Sequence, residues 1–102
     1  MNESHFNTEK WAAMSFYEQM GNIGSEVGRA MNALKRSDES ALQGSYFRGL
    51  DLIDATVATM SSPSRRRELL RAREEFSKAI ELKTVDQGLD DYFMAFAVLA
   101  RS

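Results

Sequence analysis

The fold class is decided by one stretch, Thr8 to Lys35, which reads TEKWAAMSFYEQMGNIGSEVGRAMNALK. Its apolar positions recur every three or four residues, at Ala13, Phe16, Met20, Ile23, Val27, Ala30 and Leu34. The opposite side carries polar residues, at Glu18, Asn22, Glu26, Arg29 and, directly after the stretch, Arg36. This spacing predicts one long amphipathic helix over residues 8–35 with its apolar side buried.

The rest of the chain repeats this spacing and predicts three more helices, over residues 38–60, 63–82 and 88–100. Ser37 is the expected N-cap of the second helix, and Ser62 with Pro63 is a strong start signal for the third. Connections of a few residues make neighbouring helices antiparallel. We therefore predict an all-α fold, an up-and-down helical bundle of three long helices and one short C-terminal helix.

Length and charge limit the classes of partner. With 102 residues and 43% hydrophobic residues, we expect residues 1–102 to form a single helical-bundle domain, with a mobile end over residues 1–7. The formal charge of -2 provides no overall field, which argues against nucleic acid and membrane partners. The start of the chain lacks the basic and apolar regions of a secretory signal, so we expect a cytoplasmic protein.

Residues that carry catalysis are scarce. The chain has no cysteine, which excludes disulfides and thiolate metal sites, and its one histidine, His5, precedes the first predicted helix. Asp51 and Asp54 share one helix face, but that face is expected to be wet, so a solvated pair or partners for nearby arginines is the favoured interpretation. We therefore predict no enzyme, no cofactor and no metal site.

The start of the third helix carries the sharpest local feature, a candidate site for an anion or a partner made of Ser62, Ser64, Arg65, Arg66 and Arg67. Positive side chains in a first helical turn oppose the helix dipole, so their placement there favours a nearby anion. Internal salt bridges are the first explanation. An acidic protein partner, and a phosphate or nucleic acid, remain as alternatives.

Three glycines lie beside the apolar side of the first predicted helix, at Gly21, Gly24 and Gly28. Each costs about 1 kcal/mol relative to alanine inside a helix, so a compensating contact is expected. Close packing of another helix is the favoured explanation. A ligand or partner segment against the backbone is the alternative.

Apolar residues exceed what one bundle can bury. Phe47 and Leu52 leave the apolar side of the second helix, while Met94 and Val98 lie behind the apolar side of the fourth. A monomer would expose several of these side chains. We therefore predict a homodimer whose contact includes Phe47, Leu52, Met94 and Val98.

Four segments resemble a group of uncharacterised small bacterial proteins: MSFYEQMGNIGSEVGRAMN (Met14 to Asn32), FRGLDLIDAT (Phe47 to Thr56), RRRELLRAREEF (Arg65 to Phe76) and DDYFMAFAVLAR (Asp90 to Arg101). The resemblance implies a small helical protein without an established activity and supplies no catalytic residue. At Ala97, Val98 and Leu99 this chain departs from the more aromatic or polar end of that group.

Together these patterns predict a non-catalytic module for protein–protein interaction, or a structural module, with a possible unidentified protein partner besides its own second copy. The alternative is a binder of nucleic acid or of a phosphorylated ligand through the helix start at Ser62 to Arg67.

Overall fold

The computed structural model describes residues 7–101, whose regular structure is entirely helical. It contains α1 (Thr8–Ala13), α2 (Phe16–Arg36), α3 (Glu39–Thr59), α4 (Pro63–Leu82) and α5 (Gln87–Ala100). The prediction of an all-α fold is confirmed for this part of the chain. The predicted number of helices is wrong, because the helix expected over residues 8–35 is divided into α1 and α2.

The division lies at Met14 and Ser15, both of which have extended backbone. The Ser15 hydroxyl accepts a hydrogen bond from the Glu18 amide at 3.1 Å, and Glu18 Oε1 accepts one from the Ser15 amide at 2.9 Å. This reciprocal capping box satisfies two amides that a helix start would otherwise leave free. A new helix therefore begins at Phe16, although the apolar spacing continues across the break.

The ends of the other helices follow their local signals with one exception. Ser62 caps α4, whose first residue is Pro63, as predicted. Ser37 is not the N-cap of α3, because it adopts a left-handed conformation with φ of 56° and closes α2. Asp38 takes the cap position instead, and its carboxylate accepts a hydrogen bond from the Ala41 amide at 3.1 Å.

The core lies around α2, whose predicted apolar side is buried from Met20 to Ala30. Ile53 of α3, Phe76 of α4 and Phe93 of α5 are fully buried against it. Ala13 belonged to the same predicted apolar side but is exposed, because it lies on α1, before the break. Within residues 7–101, no helix combines the length and the apolar character needed to cross a membrane.

α5 packs closely on α2 along the glycines. A Cβ atom built on Gly24 would lie 2.8 Å from Phe93 Cβ, and one on Gly21 would lie 3.2 Å from Ala97 Cα. At Gly28 the nearest atom is Asp90 Oδ1 at 3.5 Å, which is an ordinary contact. The order of these pairs shows that α5 runs antiparallel to α2.

α1 folds back onto α3 through a buried tryptophan. Trp11 Nε1 donates a hydrogen bond to Thr56 Oγ1 at 2.9 Å, and the Thr56 hydroxyl donates to the Leu52 carbonyl at 2.8 Å. Gln19 Nε2 of α2 donates to the Trp11 carbonyl at 2.8 Å. These bonds join α1 to α2 and α3.

α4 is tied to its neighbours by side-chain hydrogen bonds. The Tyr46 hydroxyl of α3 and the Ser77 hydroxyl lie 2.8 Å apart, and the Tyr92 hydroxyl of α5 donates to Glu68 Oε1 at 2.6 Å. Partial burial, together with the bond to Glu68, raises the pKa of the Tyr92 hydroxyl. Tyr92 therefore remains a donor to α4 across the neutral range of pH.

Candidate functional sites

The start of α4 brings the predicted anion-site residues together. The Ser62 hydroxyl accepts a hydrogen bond from the Arg65 amide at 3.3 Å and lies 3.2 Å from the Ser64 hydroxyl. The guanidinium of Arg65 lies over the ring of Phe16, 4.2 Å from its centroid. Arg66 donates to the carbonyl of Met60. A cleft of about 230 Å³ lies beside this turn, with Ser62 and Arg65 in its lining.

The arginines of this helix divide into two kinds. Arg73 forms two hydrogen bonds with the Asp54 carboxylate, at 2.7 and 3.1 Å, and these bonds raise the pKa of its guanidinium. Arg65, Arg66 and Arg67 form no salt bridge with a carboxylate of residues 7–101. Internal salt bridges, the first explanation from the sequence, thus account for Arg73 and not for the three arginines of the first turn.

A second polar surface, which the sequence did not single out, is a groove between α2 and α3. We call it the basic groove; it encloses about 280 Å³. Its lining contains three arginines and no carboxylate: Arg29, Asn32, Arg36, Ser40, Ala41, Gly44, Ser45 and Arg48. The sequence does contain a signal for this groove, since polar or small residues recur every three or four positions on both helices. These are Arg29, Asn32 and Arg36 on α2, and Ser40, Gly44 and Arg48 on α3.

Glu26 holds two of these arginines from behind the groove. Glu26 Oε2 lies 3.1 Å from Arg29 Nη1 and 3.3 Å from Arg48 Nε. The residue is only 9% exposed, although the sequence placed it on the wet side of its helix, because α3 covers that side. Its other oxygen, Oε1, is buried without a hydrogen-bond donor among the described residues. Glu26 is therefore a buried anchor for two guanidinium groups.

The third surface is apolar and lies on α5. Met94, Val98 and Leu99 are exposed by 49, 53 and 48%, and Ala95 beside them is also exposed. On a helix these four positions lie on one side, within about 140° of one another. We call this surface the outer face of α5. It carries no charged side chain, since Met94 to Ala100 are seven consecutive apolar residues.

The other two predicted dimer contacts lie on α3. Phe47 is 58% exposed and contacts the ring of Tyr46, with 5.6 Å between centroids. Leu52 is half-buried and packs against the core. Phe47 and Leu52 thus lie on α3 and Met94 and Val98 on α5, and these two helices contact different sides of α2.

Groups that could carry catalysis or hold a metal are few. No cluster of three histidine, aspartate or glutamate side chains within residues 7–101 is placed to hold a metal ion. Asp54 pairs with Arg73, as expected for a partner of a nearby arginine, and Asp51 is exposed. His5 lies outside the described residues.

Comparison of the chain with protein-family models, with curated proteins and with solved structures finds no match.

Proposed function

We propose that this chain is a non-catalytic interaction module that forms a homodimer through the outer face of α5. The observation that carries the proposal is the run Met94 to Ala100, which makes the last two turns of α5 apolar on all sides although one side of them is exposed. A helix that is apolar all round is usually buried on several sides. A second copy provides the missing cover.

The energetics favour a symmetric contact. Burying a large apolar side chain contributes about 1.5 to 3 kcal/mol. In a twofold symmetric contact the same residues of both copies are buried, so each residue of the face contributes once from each copy. Association itself costs roughly 4 to 15 kcal/mol. Met94, Val98 and Leu99 from two copies supply six partly exposed apolar side chains, which can offset a cost within that range.

The proposed architecture around this contact is an up-and-down bundle preceded by the short helix α1. Its support is the order of the contacts, which pair Glu26 of α2 with Arg48 of α3, and Asp54 of α3 with Arg73 of α4. We further propose that the protein is cytoplasmic and that it is related to the small helical bacterial proteins that it resembles.

Sedimentation equilibrium at micromolar concentration tests the dimer. We expect a species of twice the 11.5 kDa chain mass. Met94→Asp combined with Val98→Asp should convert it to folded monomers, because two carboxylates on each copy would be buried without partners. Leu82→Asp is the matched control and should leave the dimer intact, since Leu82 is an exposed apolar residue at the end of α4. A single 11.5 kDa species for the unaltered chain contradicts the proposal.

The start of α4 supports a second candidate function, binding of nucleic acid or of a phosphorylated ligand. Its support is that Arg65, Arg66 and Arg67 surround a helix start and pair with no carboxylate of residues 7–101. Positive side chains beside a helix start attract phosphate oxygens. The formal charge of -2 confines any such binding to this local surface.

A salt titration of binding to generic DNA and RNA tests this second candidate. If phosphates bind there, affinity should fall steeply as salt increases. Arg66→Gln with Arg67→Gln should then reduce the salt slope by about 2, because each of the two arginines neutralises one phosphate. Arg71→Gln, one turn further along α4, is the matched control and should leave the slope unchanged. Absence of measurable affinity at low salt would exclude nucleic acid and leave a phosphorylated small ligand to be tested at the same turn.

A further inference from the structure

We propose that the basic groove between α2 and α3 is a binding site for the phosphate group of a small phosphate monoester. The site is separate from the start of α4 and from the outer face of α5. Its lining contains three arginines, Arg29, Arg36 and Arg48, together with Asn32, Ser40 and Ser45. The side chains of these residues carry guanidinium, amide and hydroxyl groups, all of which can donate hydrogen bonds.

The donors in this groove match the oxygens of a phosphate. Each guanidinium carries five N–H donors, and Glu26 occupies only one atom on each of Arg29 and Arg48. A carboxylate ligand would offer two oxygens to this set, whereas a phosphate monoester offers three and nearly two negative charges. The volume of about 280 Å³ lies at the small end of ligand sites and suits a phosphate with a small organic group.

The charge balance of the groove is positive. Two carboxylates outside the lining pair with the three arginines. Glu26 pairs with Arg29 and Arg48, and Asp38 lies 3.6 Å from Arg36. One positive charge is therefore in excess before a ligand binds. The guanidinium groups of Arg29 and Arg48 are also oriented in advance by the buried Glu26, which reduces the entropy lost when an anion binds.

Gly44 leaves space beside the groove that the guanidinium group of Arg48 occupies. The three nearest heavy atoms to a Cβ placed on Gly44 all belong to Arg48, with Nη1 at 3.2 Å. No backbone of another helix approaches it, so the glycine is not required for helix packing. Glycine inside a helix is less stable than alanine, and the space that it leaves is occupied by the Arg48 side chain.

The test is isothermal titration of the full chain with methyl phosphate at millimolar concentration, with methyl sulfate as the control anion. We expect binding of methyl phosphate at about pH 7.5 and about tenfold weaker binding at about pH 5, because its second proton returns near pH 6. Methyl sulfate carries one negative charge at both pH values. It should therefore bind more weakly than methyl phosphate at about pH 7.5, with an affinity that does not change between the two pH values. The Nε–Hε signals of Arg29 and Arg48 should shift during the titration with methyl phosphate.

Two variants distinguish this site from general attraction to arginine. Arg48→Gln should weaken binding at least tenfold, whereas Arg71→Gln, at an exposed arginine of α4 outside both candidate anion sites, should change it less than twofold. Gly44→Ala should also weaken binding, by displacing the Arg48 guanidinium, yet raise the melting temperature by about 4 to 8 °C through its helix propensity. Equal weakening by the two arginine variants, unchanged binding in Gly44→Ala, or no heat and no signal shift in the unaltered chain would overturn the proposal.

Discussion

Replacing Gly24 with leucine is expected to lower the free energy of unfolding by about 3 kcal/mol, at the upper end of the range for overpacked cores. The reason is the contact between α2 and α5. A Cβ atom on Gly24 would lie 2.8 Å from Phe93 Cβ and 3.3 Å from the Phe93 carbonyl carbon and oxygen. The clash involves backbone, so a side-chain rotation cannot relieve it and α5 must move away from α2.

Urea denaturation followed by circular dichroism measures this effect, and Gly28→Ala is its matched control. A Cβ atom on Gly28 meets only Asp90 Oδ1 at 3.5 Å, so alanine fits there and its helix propensity favours it by about 1 kcal/mol. Stability should therefore stay unchanged or increase in Gly28→Ala. A Gly24→Leu protein as stable as the unaltered chain would mean that α5 does not pack closely on α2.

The helical core could be predicted because its signal is repeated along each helix. Ile23, Ile53 and Phe76 each lie in a series of apolar residues three or four positions apart, and all three are fully buried. Such a series is insensitive to the way neighbouring helices are arranged, because any neighbour must cover the same apolar side. The fold class therefore follows from the sequence before the packing is known.

The ends of helices depended on shorter signals, and two of them were assigned incorrectly. The capping box of Ser15 and Glu18 is visible in the sequence, but the apolar spacing from Ala13 to Phe16 continues across it. At the next boundary, Ser37 and Asp38 are both good N-caps. Only the left-handed conformation of Ser37, which ends α2, assigns the cap to Asp38.

The candidate sites also differ in how far the sequence alone could predict them. Ser62 to Arg67 are close in sequence, so their meeting at one helix start could be predicted from local rules. The basic groove requires the polar side of α2 to face that of α3, which depends on how the two helices are rotated. Glu26 shows this dependence, since it belongs to a polar series along α2 and is nevertheless buried by α3.

Replacing Trp11 with alanine is expected to lower the free energy of unfolding by about 3 to 5 kcal/mol, the usual cost of truncating a buried aromatic residue. Trp11 is buried and is the residue through which α1 contacts Thr56 of α3 and Gln19 of α2. Urea denaturation gives the loss in free energy. A loss within about 0.5 kcal/mol, typical of surface substitutions, would contradict the docking of α1.

A double-mutant cycle separates the hydrogen bond from the packing of the ring. Trp11→Phe keeps most of the apolar contact and removes the indole N–H, while Thr56→Val removes the hydroxyl that accepts the hydrogen bond from it. Each single change should cost about 1 to 3 kcal/mol. The double variant should cost about 1 kcal/mol less than the sum of the two, because the one hydrogen bond between Trp11 and Thr56 is counted in both single changes. Strict additivity would show that the hydrogen bond between Trp11 and Thr56 does not stabilise the docking of α1.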